Sequence, residues 1–574
     1  MRRLVLLAAL ALAACSNSNS IQRPVTPPAV STTVVNFSTY LGNDLADAVR
    51  DVAIDSAGNT YAVGGALSVD LLPGTPTRAH AGSEDAFVAK FDPNGQVLWW
   101  TFLGGPGPDR AYAIELDSNG DIVIGGSAAD QFPVTPGKAL TQFQGGAGDT
   151  ANPPLDGFVA KLAGVDGTLS WATYFGSGTF EADVDDNPND AVVDFRDEAD
   201  PQTSVVRDVA VDPLTNDIYL YFSVRAPTER IPPDDPNSTT DPPGTIVRNL
   251  PPVILAALQN GERAALPSLD GVVGPGSLDA ILAKLSADGA SLPWATYVGG
   301  TGVESSAGGV RVDPQGNPVV LLSTTSSDRA KTQDPITKVI TSTESIATKD
   351  LDPMLRGSSD FFLAKYALNG PKLWSTLLGS TAEETVESAN LLVLANKIVI
   401  AAQTTSSSFV PAAASGFDPS FNGGSDCGIV TLSPTGDARL ASSYYGGSGG
   451  DRCTGIAVDS QDRIYVTGLT TSLDLPIRSG PLQAQIPGGR SAFLAVFSPD
   501  LAVVRHSGYF GGTGFGQGFA VQVRTDTASS ARVVIGGEAG AGYPLTPSPG
   551  TPARATVTAP PEHGALSDLT AQLQ

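Results

Sequence analysis

Residues 52–63 read Val-Ala-Ile-Asp-Ser-Ala-Gly-Asn-Thr-Tyr-Ala-Val. Apolar and polar residues alternate on both sides of its centre, which is the period of half-buried β-strands. At the centre, Asp55 caps a turn and Gly58 occupies the position that needs a positive φ. The stretch therefore predicts a β-hairpin.

The hairpin belongs to a repeat that the chain contains seven times. Each hairpin follows a segment like Phe37-Ser-Thr-Tyr-Leu-Gly42 and precedes one like Asp85-Ala-Phe-Val-Ala-Lys-Phe91. Each unit thus supplies four strands, and units of this kind pack around an axis because they cannot bury both faces alone. The sequence predicts an all-β, seven-bladed β-propeller of four-stranded antiparallel blades. Further copies of the first hairpin strand begin at Ile114, Val209, Val310 and Ile456.

These motifs resemble the seven-bladed β-propeller (SBBP) repeat family of bacterial surface proteins, and the resemblance extends over roughly residues 34–570. It implies a fold but no agreed activity and no catalytic motif. In similar repeats the Val-Ala-Ile-Asp strand is innermost and the Tyr-Leu-Gly strand is outermost. The chain would then begin with an outermost strand, at about residues 33–42, that completes the seventh blade and closes the ring. Closure would remove a free strand edge.

Composition excludes several classes of function. The chain has 574 residues and a formal net charge of −25, which argues against a nucleic-acid partner because phosphate binding needs clustered Lys and Arg. It has only three His, which leaves little room for a multi-His metal centre. With 41% hydrophobic residues, the chain has enough apolar side chains for a large core.

The N-terminal residues predict the cellular location of the protein. Residues 1–14 combine two Arg with a short apolar run, as a secretory signal peptide does. Leu12-Ala-Ala-Cys15 resembles the lipobox of bacterial lipoproteins, which implies acylation of Cys15 with fatty acids such as palmitate; an ordinary signal peptide with an incidental Cys is the alternative. Residues 15–32 predict a flexible tether and residues 33–574 the propeller. Ser16 after the Cys favours the outer membrane or cell surface.

The long connections between strands predict a binding surface. They all fall between second and third strands or between successive blades, and in a propeller these two connections emerge on one face. The largest insertions are residues 178–204 and 224–277. Insertions that share one face are typical of a surface that binds a protein or a glycan. The alternative is that the fold tolerates these insertions and that they have no binding role.

Three sets of side chains are candidates for a site. An acidic loop is a candidate for Ca²⁺, although Pro188 replaces the Gly of a calcium loop and a solvated loop is the alternative. Its oxygen ligands would be Asp183, Asp185, Asn187, Asn189 and Asp194. Four acids precede innermost strands and would either ring the mouth of the channel as ligands or cap turns. They are Asp47, Asp109, Glu304 and Asp451. Cys427 and Cys453 would form a disulfide or remain two buried thiols.

The sequence leaves two classes of function open. The first is a membrane-anchored, extracytoplasmic lipoprotein that acts as a binding or scaffold module and needs no cofactor. The second is an enzyme that uses loop carboxylates on a polysaccharide. A variant of the second class is a quinoprotein-like propeller. This hypothesis rests on Ala89, Gly95 and Trp99, whose spacing resembles the tryptophan-docking motif of quinoprotein propellers. Packing of Trp between blades explains the same pattern without a cofactor.

Overall fold

A computed structural model describes residues 32–42, 45–143, 155–175, 205–225, 278–298, 304–325, 357–386, 390–411, 416–478, 483–514, 516–541, 543 and 563–572. These residues form seven antiparallel sheets. The prediction of an all-β, seven-bladed propeller with four-stranded antiparallel blades is confirmed. Within the described ranges there is no helix long and apolar enough to cross a membrane.

The blades follow one another along the chain. Blades one to three contain β2 (Asp47–Ile54), β3 (Thr60–Ala66), β4 (Asp85–Phe91), β5 (Val97–Leu103), β6 (Arg110–Leu116), β7 (Ile122–Ala128), β8 (Asp156–Leu162), β9 (Leu169–Phe175), β10 (Val205–Val211), β11 (Ile218–Arg225), β12 (Leu278–Leu285) and β13 (Trp294–Val298). Blades four and five contain β14 (Glu304–Val312), β15 (Pro318–Thr324), β16 (Asp360–Tyr366), β17 (Lys372–Leu378), β18 (Glu384–Thr385), β19 (Leu391–Val393), β20 (Ile398–Thr404), β21 (Asp426–Leu432) and β22 (Arg439–Tyr445). In blade five the first strand is divided into β18 and β19, which both pair with β20.

Blade six contains β23 (Asp451–Val458), β24 (Ile464–Thr470), β25 (Ser491–Phe497) and β26 (Val504–Phe510). Blade seven contains β27 (Gly516–Thr527), β28 (Ser530–Ala539), β29 (His563–Gln572) and, from the other end of the chain, β1 (Thr32–Leu41). The predicted closure by the N-terminal strand is confirmed, and β1 begins one residue before the expected boundary. In blade three, β11 continues to Arg225, so the large connection spans residues 226–277 rather than 224–277.

The strand order gives the propeller two distinct faces. Tight turns join first to second strands and third to fourth strands, and both kinds of turn lie on what we call the hairpin face. The longer connections, from second to third strands and from each blade to the next, lie on the opposite face, which we call the insertion face. By this topology all the long connections belong to the insertion face, as the sequence predicts.

The hairpin turns are stabilised by the aspartate that opens them. The carboxylate of Asp117 accepts hydrogen bonds from the backbone N–H groups of Asn119 and Asp121, at 2.8 and 2.9 Å. Lys161, from the third strand of the same blade, pairs with Asp117 at 2.6 Å. Burial raises the pKa of Asp117, but the hydrogen bonds from Lys161 and the backbone outweigh it, so the pKa lies below its usual value. The recurring Lys of the third strand therefore has a structural role.

Aromatic residues of the outermost strands join neighbouring blades. Trp99 lies against Gly167 in a turn of blade two, and a Cβ added to Gly167 would approach the indole within 2.5 Å. Gly167 also has a φ of +73°, which disfavours any other residue there. Trp171 lies against Gly289 in the same manner. Packing between blades therefore accounts for these Trp residues.

Candidate functional site: the central channel

A cavity on the propeller axis is lined by five charged side chains. Its enclosed volume is small, about 50 Å³, and reaches about 420 Å³ only when the open solvent at its mouth is counted. The first strands of six blades line it, which identifies it as the central channel. Its lining residues are Arg50, Asp51, Tyr112, Arg207, Asp208, Arg311, Thr454, Gly455, Ile456, Phe519, Ala520, Val521 and Gln522.

A repeated β-bulge directs five of these side chains into the channel. In β2 the pairing register shifts between Val49 and Asp51, so Arg50 is an extra residue in the strand. The same shift occurs at the matching position of four other first strands, where the extra residues are Tyr112, Arg207, Thr454 and Phe519. A bulge leaves its extra residue unpaired and re-aims the side chain. All five extra residues line the channel.

Two arginines in the channel stack on aromatic rings from neighbouring blades. The Arg50 guanidinium lies 4.4 Å from the centre of the Phe519 ring, and that of Arg207 lies 4.8 Å from the centre of Tyr112. Such contacts are attractive because the face of the ring is negative. Arg50 also pairs with Glu538 at 3.1 Å. The stacking holds both guanidinium groups at the axis.

A third arginine is part of an ion network between blades. Arg311 contacts Asp208 at 2.5 Å, and Asp208 also accepts the backbone N–H of Val310 at 2.8 Å. In blade one, Asp51 plays the same part and accepts the N–H of Ile114 in blade two at 3.0 Å. The residue that follows the bulge thus bonds its blade to the next one. Arg311 acts electrostatically on Asp51 and on Glu115 as well.

Burial gives these acids unusual proton affinities. It raises the pKa of Asp51 to about 7, against the opposing effects of the Ile114 N–H and of Arg311. It likewise raises the pKa of Glu115 to about 7, with Arg311 opposing. Burial also raises the pKa of Asp208, although Arg311 counteracts it. Acids that titrate near neutral pH are typical of functional sites, although structural networks produce them too.

The four acids predicted to precede innermost strands anchor connections of the insertion face. Asp109 accepts the backbone N–H of Gly105 at 2.7 Å and that of Ala129 at 2.9 Å. It thereby joins the connection from blade one to the connection between the second and third strands of blade two, both on the insertion face. Asp451 bonds to Gly447 and Ser472 in the same way. Asp47 bonds to Ser68, and Glu304 to Thr324. All four are at most 3% exposed, so the geometry matches the capping role rather than a ring of ligands open to solvent.

The buried acids predict that the protein is most stable in mild acid. Burial raises the pKa of Asp109 to about 8, and those of Glu384 and Asp426 to about 7. The unfolded chain titrates these groups near about 4, so between about pH 4 and 8 the folded protein binds more protons and its free energy of unfolding falls as pH rises. Asp117 and Asp313 have lowered pKa values, so their ionised forms stabilise the fold. This stabilisation is lost only below the same pH range, where the two carboxylates become protonated. We expect the melting temperature to be at least about 3 °C higher at pH 5.5 than at pH 8.

Calorimetry in a buffer of constant, high ionic strength would check this, because salt screens the general repulsion among acidic residues. Asp109→Asn should flatten the pH dependence, since one titrating group is removed. Asp166→Asn is the matched control, because Asp166 lies in an exposed turn. A melting temperature that rises from pH 5.5 to pH 8 would contradict the prediction.

The two cysteines of the body lie on adjacent blades. The structure joins Cys427 of β21 to Cys453 of β23 by a disulfide, with their Cα atoms 5.2 Å apart. Both residues are buried. The bond therefore connects blade five covalently to the innermost strand of blade six.

The predicted calcium ligands, Asp183 to Asp194, lie outside the described residues, as does Cys15. Among the residues that the structure describes, no group of three or more His, Cys, Asp or Glu side chains is placed to hold a metal ion. Ca²⁺ binding by the acidic loop stays a prediction.

The sequence pattern does not predict that these side chains meet in the channel, although it contains one sign of the bulges. Strict alternation of apolar and polar residues breaks at Arg50-Asp51 and again at Arg207-Asp208, where two charged residues follow one another. An extra residue in a strand produces such a break. The partners Tyr112, Phe519 and Arg311 carry no comparable signal, because they come from other repeats.

Comparison with protein families supports the repeat. Residues 442–476, which include the end of the fourth strand of blade five and the first two strands of blade six, match the family model described as a β-propeller repeat, SBBP. No curated protein matches the chain at a significant level.

Several solved structures align with most of the chain at low similarity. A protein of unknown function from Dyadobacter fermentans has 10% identity and a TM-score of 0.36, covering 94% of this chain and 99% of its own. Quinohemoprotein alcohol dehydrogenase ADHIIG from Pseudomonas putida has 10% identity and a TM-score of 0.35, covering 94% and 76%. BamB from Moraxella catarrhalis has 11% identity and a TM-score of 0.32, covering 88% and 96%. Likeness at this level carries no conclusion about function.

Proposed function

We propose that the protein is a membrane-anchored, extracytoplasmic lipoprotein that acts as a binding or scaffold module for a protein or a glycan on its insertion face. The observation that carries this proposal is the position of the N-terminal strand. Thr32 pairs with Gln572 at the end of β29, so β1 starts at the hairpin face and runs toward the insertion face. A lipid on Cys15 would therefore join the propeller at the hairpin face. The insertion face would be left free for a ligand.

The buried acids of the insertion face support a binding role. Asp109 and Asp451 each hold one connection from the preceding blade and one from their own blade. Because these hydrogen bonds are made before any ligand arrives, the ends of the connections are fixed in place. A fixed surface loses less conformational entropy when it binds a partner.

Fatty-acid labelling in cells tests the anchor. We expect wild-type protein to incorporate a labelled fatty acid and to sediment with membranes, whereas Cys15→Ala should lose the label entirely and leave the membrane fraction. Replacing the buried pair Cys427 and Cys453 by Ala is the matched control and should keep the label. Equal labelling of Cys15→Ala and wild type would refute lipidation.

A specific observation also favours the second candidate, a carboxylate-based enzyme acting on a polysaccharide. Asp51 lines the channel and, like the nearby Glu115, has a pKa raised to about 7 by burial. A raised pKa lets a carboxyl group carry a proton at neutral pH, as general acids of glycoside hydrolysis do. Asp51 is already bonded to two backbone N–H groups, which favours the structural role. New reducing ends released from a polysaccharide by purified protein would favour the enzyme.

A further inference from the structure

Each contact region between neighbouring blades is a joint, and the joint between blades five and six is closed by a covalent bond. Cys427 lies in the third strand of blade five and Cys453 in the first strand of blade six, and their Cα atoms are 5.2 Å apart across the disulfide. The chain contains only one further cysteine, Cys15. A second bond of this kind within the chain is therefore impossible, and the other six joints depend on noncovalent contacts.

Five other joints have an aromatic side chain that contacts the turn between the third and fourth strands of the next blade. In four of them the turn residue under the ring is a glycine with positive φ, and a Cβ added to it would approach the ring within 2.4 to 2.7 Å. At the joint between blades three and four, Trp294 donates a hydrogen bond to the carbonyl of Leu368 at 2.9 Å. A glycine lets the ring lie directly on the turn and bury its apolar face. The four pairs are Trp99 and Gly167, Trp171 and Gly289, Trp374 and Gly436, and Phe37 and Gly95.

The joint between blades five and six reverses this arrangement. Ala441 occupies the strand position of the tryptophan, directly after the register shift in β22. Leu501 occupies the turn position of the glycine and keeps its backbone conformation, with a φ of +59°, which is unfavourable for a residue with a Cβ. Both side chains are buried in one apolar cluster. A small strand residue and a large turn residue thus lie where other joints have an aromatic ring and a glycine.

Blade five also differs in its first strand, which contacts the first strand of blade six. β18 and β19 contain two and three residues, whereas the first strands of the other blades contain seven to twelve. Shorter strands bury less side-chain area against a neighbouring blade. Polar contacts supplement this joint, since Asn390 donates to the carbonyl of Cys453 and Lys397 to that of Pro499, both at 3.1 Å. The disulfide therefore joins two blades whose apolar contact is reduced.

We propose that this joint is a redox-controlled closure of the ring, which the Cys427–Cys453 disulfide keeps closed and which opens when the disulfide is reduced to two thiols. Closing forms the S–S bond and releases two protons and two electrons from the thiols, and a disulfide-bearing oxidant accepts them and becomes a dithiol. Reduction by a dithiol reverses each of these changes. This inference goes beyond the proposed function, because it holds whatever the insertion face binds and whether or not Cys15 is acylated.

Burial decides when the disulfide reacts. The side chains of Cys427 and Cys453 are 0% and 1% exposed. Thiol–disulfide exchange requires that a thiolate contact one of the two sulfur atoms. A reductant therefore reaches the bond only when blades five and six separate locally, and in the closed ring the bond is protected. After reduction only noncovalent contacts oppose this separation, so the joint opens more often.

Hydrogen–deuterium exchange of the full chain in detergent tests the proposal, because single backbone amides report on single joints. The N–H of Asp451 bonds to the carbonyl of Ser425 across the joint between blades five and six, at 2.8 Å. The N–H of Asp109 bonds to the carbonyl of Glu84 across the joint between blades one and two, at 2.7 Å. The Asp109 amide is therefore the matched control for the Asp451 amide.

In the double variant Cys427→Ala with Cys453→Ala, we expect the Asp451 amide to exchange at least about 10-fold faster than in the oxidised wild type. Exchange of the Asp109 amide should change by less than about 2-fold, because its joint has no covalent bond to lose. Addition of a dithiol to the wild type should produce the same difference between the two amides. Replacement of the dithiol by a disulfide oxidant should reverse it.

The aromatic–glycine contact provides a second test, because it should take over the role of the disulfide. Adding Ala441→Trp and Leu501→Gly to the double variant should slow exchange of the Asp451 amide by at least about 3-fold, since a ring would lie over a glycine as in the other joints. Leu440→Trp in the same background is the matched control. Leu440 is 52% exposed, so its replacement would face solvent and leave the exchange unchanged.

Three outcomes of these experiments would overturn the proposal. They are unchanged exchange of the Asp451 amide in the double variant, equal acceleration of the Asp451 and Asp109 amides, and no slowing of exchange by the added aromatic–glycine contact. If the double variant does not fold, the rate at which a dithiol reduces the folded wild type decides. Reduction at least about 10-fold faster than global unfolding supports local opening of the joint, and reduction at the rate of global unfolding contradicts it.

Discussion

Deletion of residues 32–41 should abolish cooperative folding of the whole propeller, although these residues are less than a fiftieth of the chain. They form β1, which pairs with β29 from Thr32 to Leu41. Phe37 and Leu41 are buried, and Phe37 packs against Phe91 of blade one with ring centres 6.2 Å apart. Removing several large buried side chains and a strand ladder costs on the order of 10 kcal/mol, which is comparable with the stability of a whole domain.

Thermal and urea unfolding, followed by circular dichroism, would measure the effect. Deletion of residues 16–31 is the matched control and should leave the melting temperature within about 1 °C, because the ordered strand remains. A peptide of residues 30–43 added in trans should restore the transition of the deleted chain, since it supplies the missing strand to the exposed edge of β29. Wild-type stability of the chain without residues 32–41 would show that the ring does not depend on this closure.

Arg532→Leu should be among the most destabilising single substitutions, at about 3–5 kcal/mol. Arg532 forms a buried ion pair with Asp568 of the same blade. It also donates hydrogen bonds to the carbonyl of Gly58 and to Thr60 in blade one, so it links the last blade to the first. Its loss leaves the buried Asp568 with a hydrogen bond from Asn36, at 2.7 Å, and without its ion-pair partner. Burial already raises the pKa of Asp568 despite Arg532, so the loss of stability should be larger at pH 8 than at pH 5.5.

A double-mutant cycle in urea would check this and separate the two charges. The double variant Arg532→Leu with Asp568→Leu should recover more than half of the lost stability, because no unpaired charge stays buried. Arg524→Leu is the control for an exposed ion pair, since Arg524 and Asp526 are about one third exposed, and it should change stability by less than about 1 kcal/mol. A cost for Arg532→Leu no larger than that of Arg524→Leu would contradict a structural role for the buried pair.

The repeated local pattern determined much of the molecule. Alternating runs around Asp-Ser-Ala-Gly-Asn fix a hairpin, because strand period and turn chemistry depend on neighbours in sequence. Seven copies of four strands leave few ways to bury both faces of every sheet, and an outermost strand at the start of the chain is left without a blade unless it joins the last one. The propeller, its closure by β1 and the location of the long connections on one face could therefore be predicted.

The functional geometry could not be predicted in the same way, because it depends on residues that meet only across the ring. Arg207 and Tyr112 are far apart in the chain and adjacent at the axis, and a bulge that inserts one residue decides that both face the channel. The burial of Asp109 depends equally on loops from two blades. The blades, the ring and the acidic balance of the chain follow from the local pattern and the composition. Which charges stay buried as supports and which side chains face the axis follows from the tertiary structure alone, since both burial and charge pairing are set by contacts between blades.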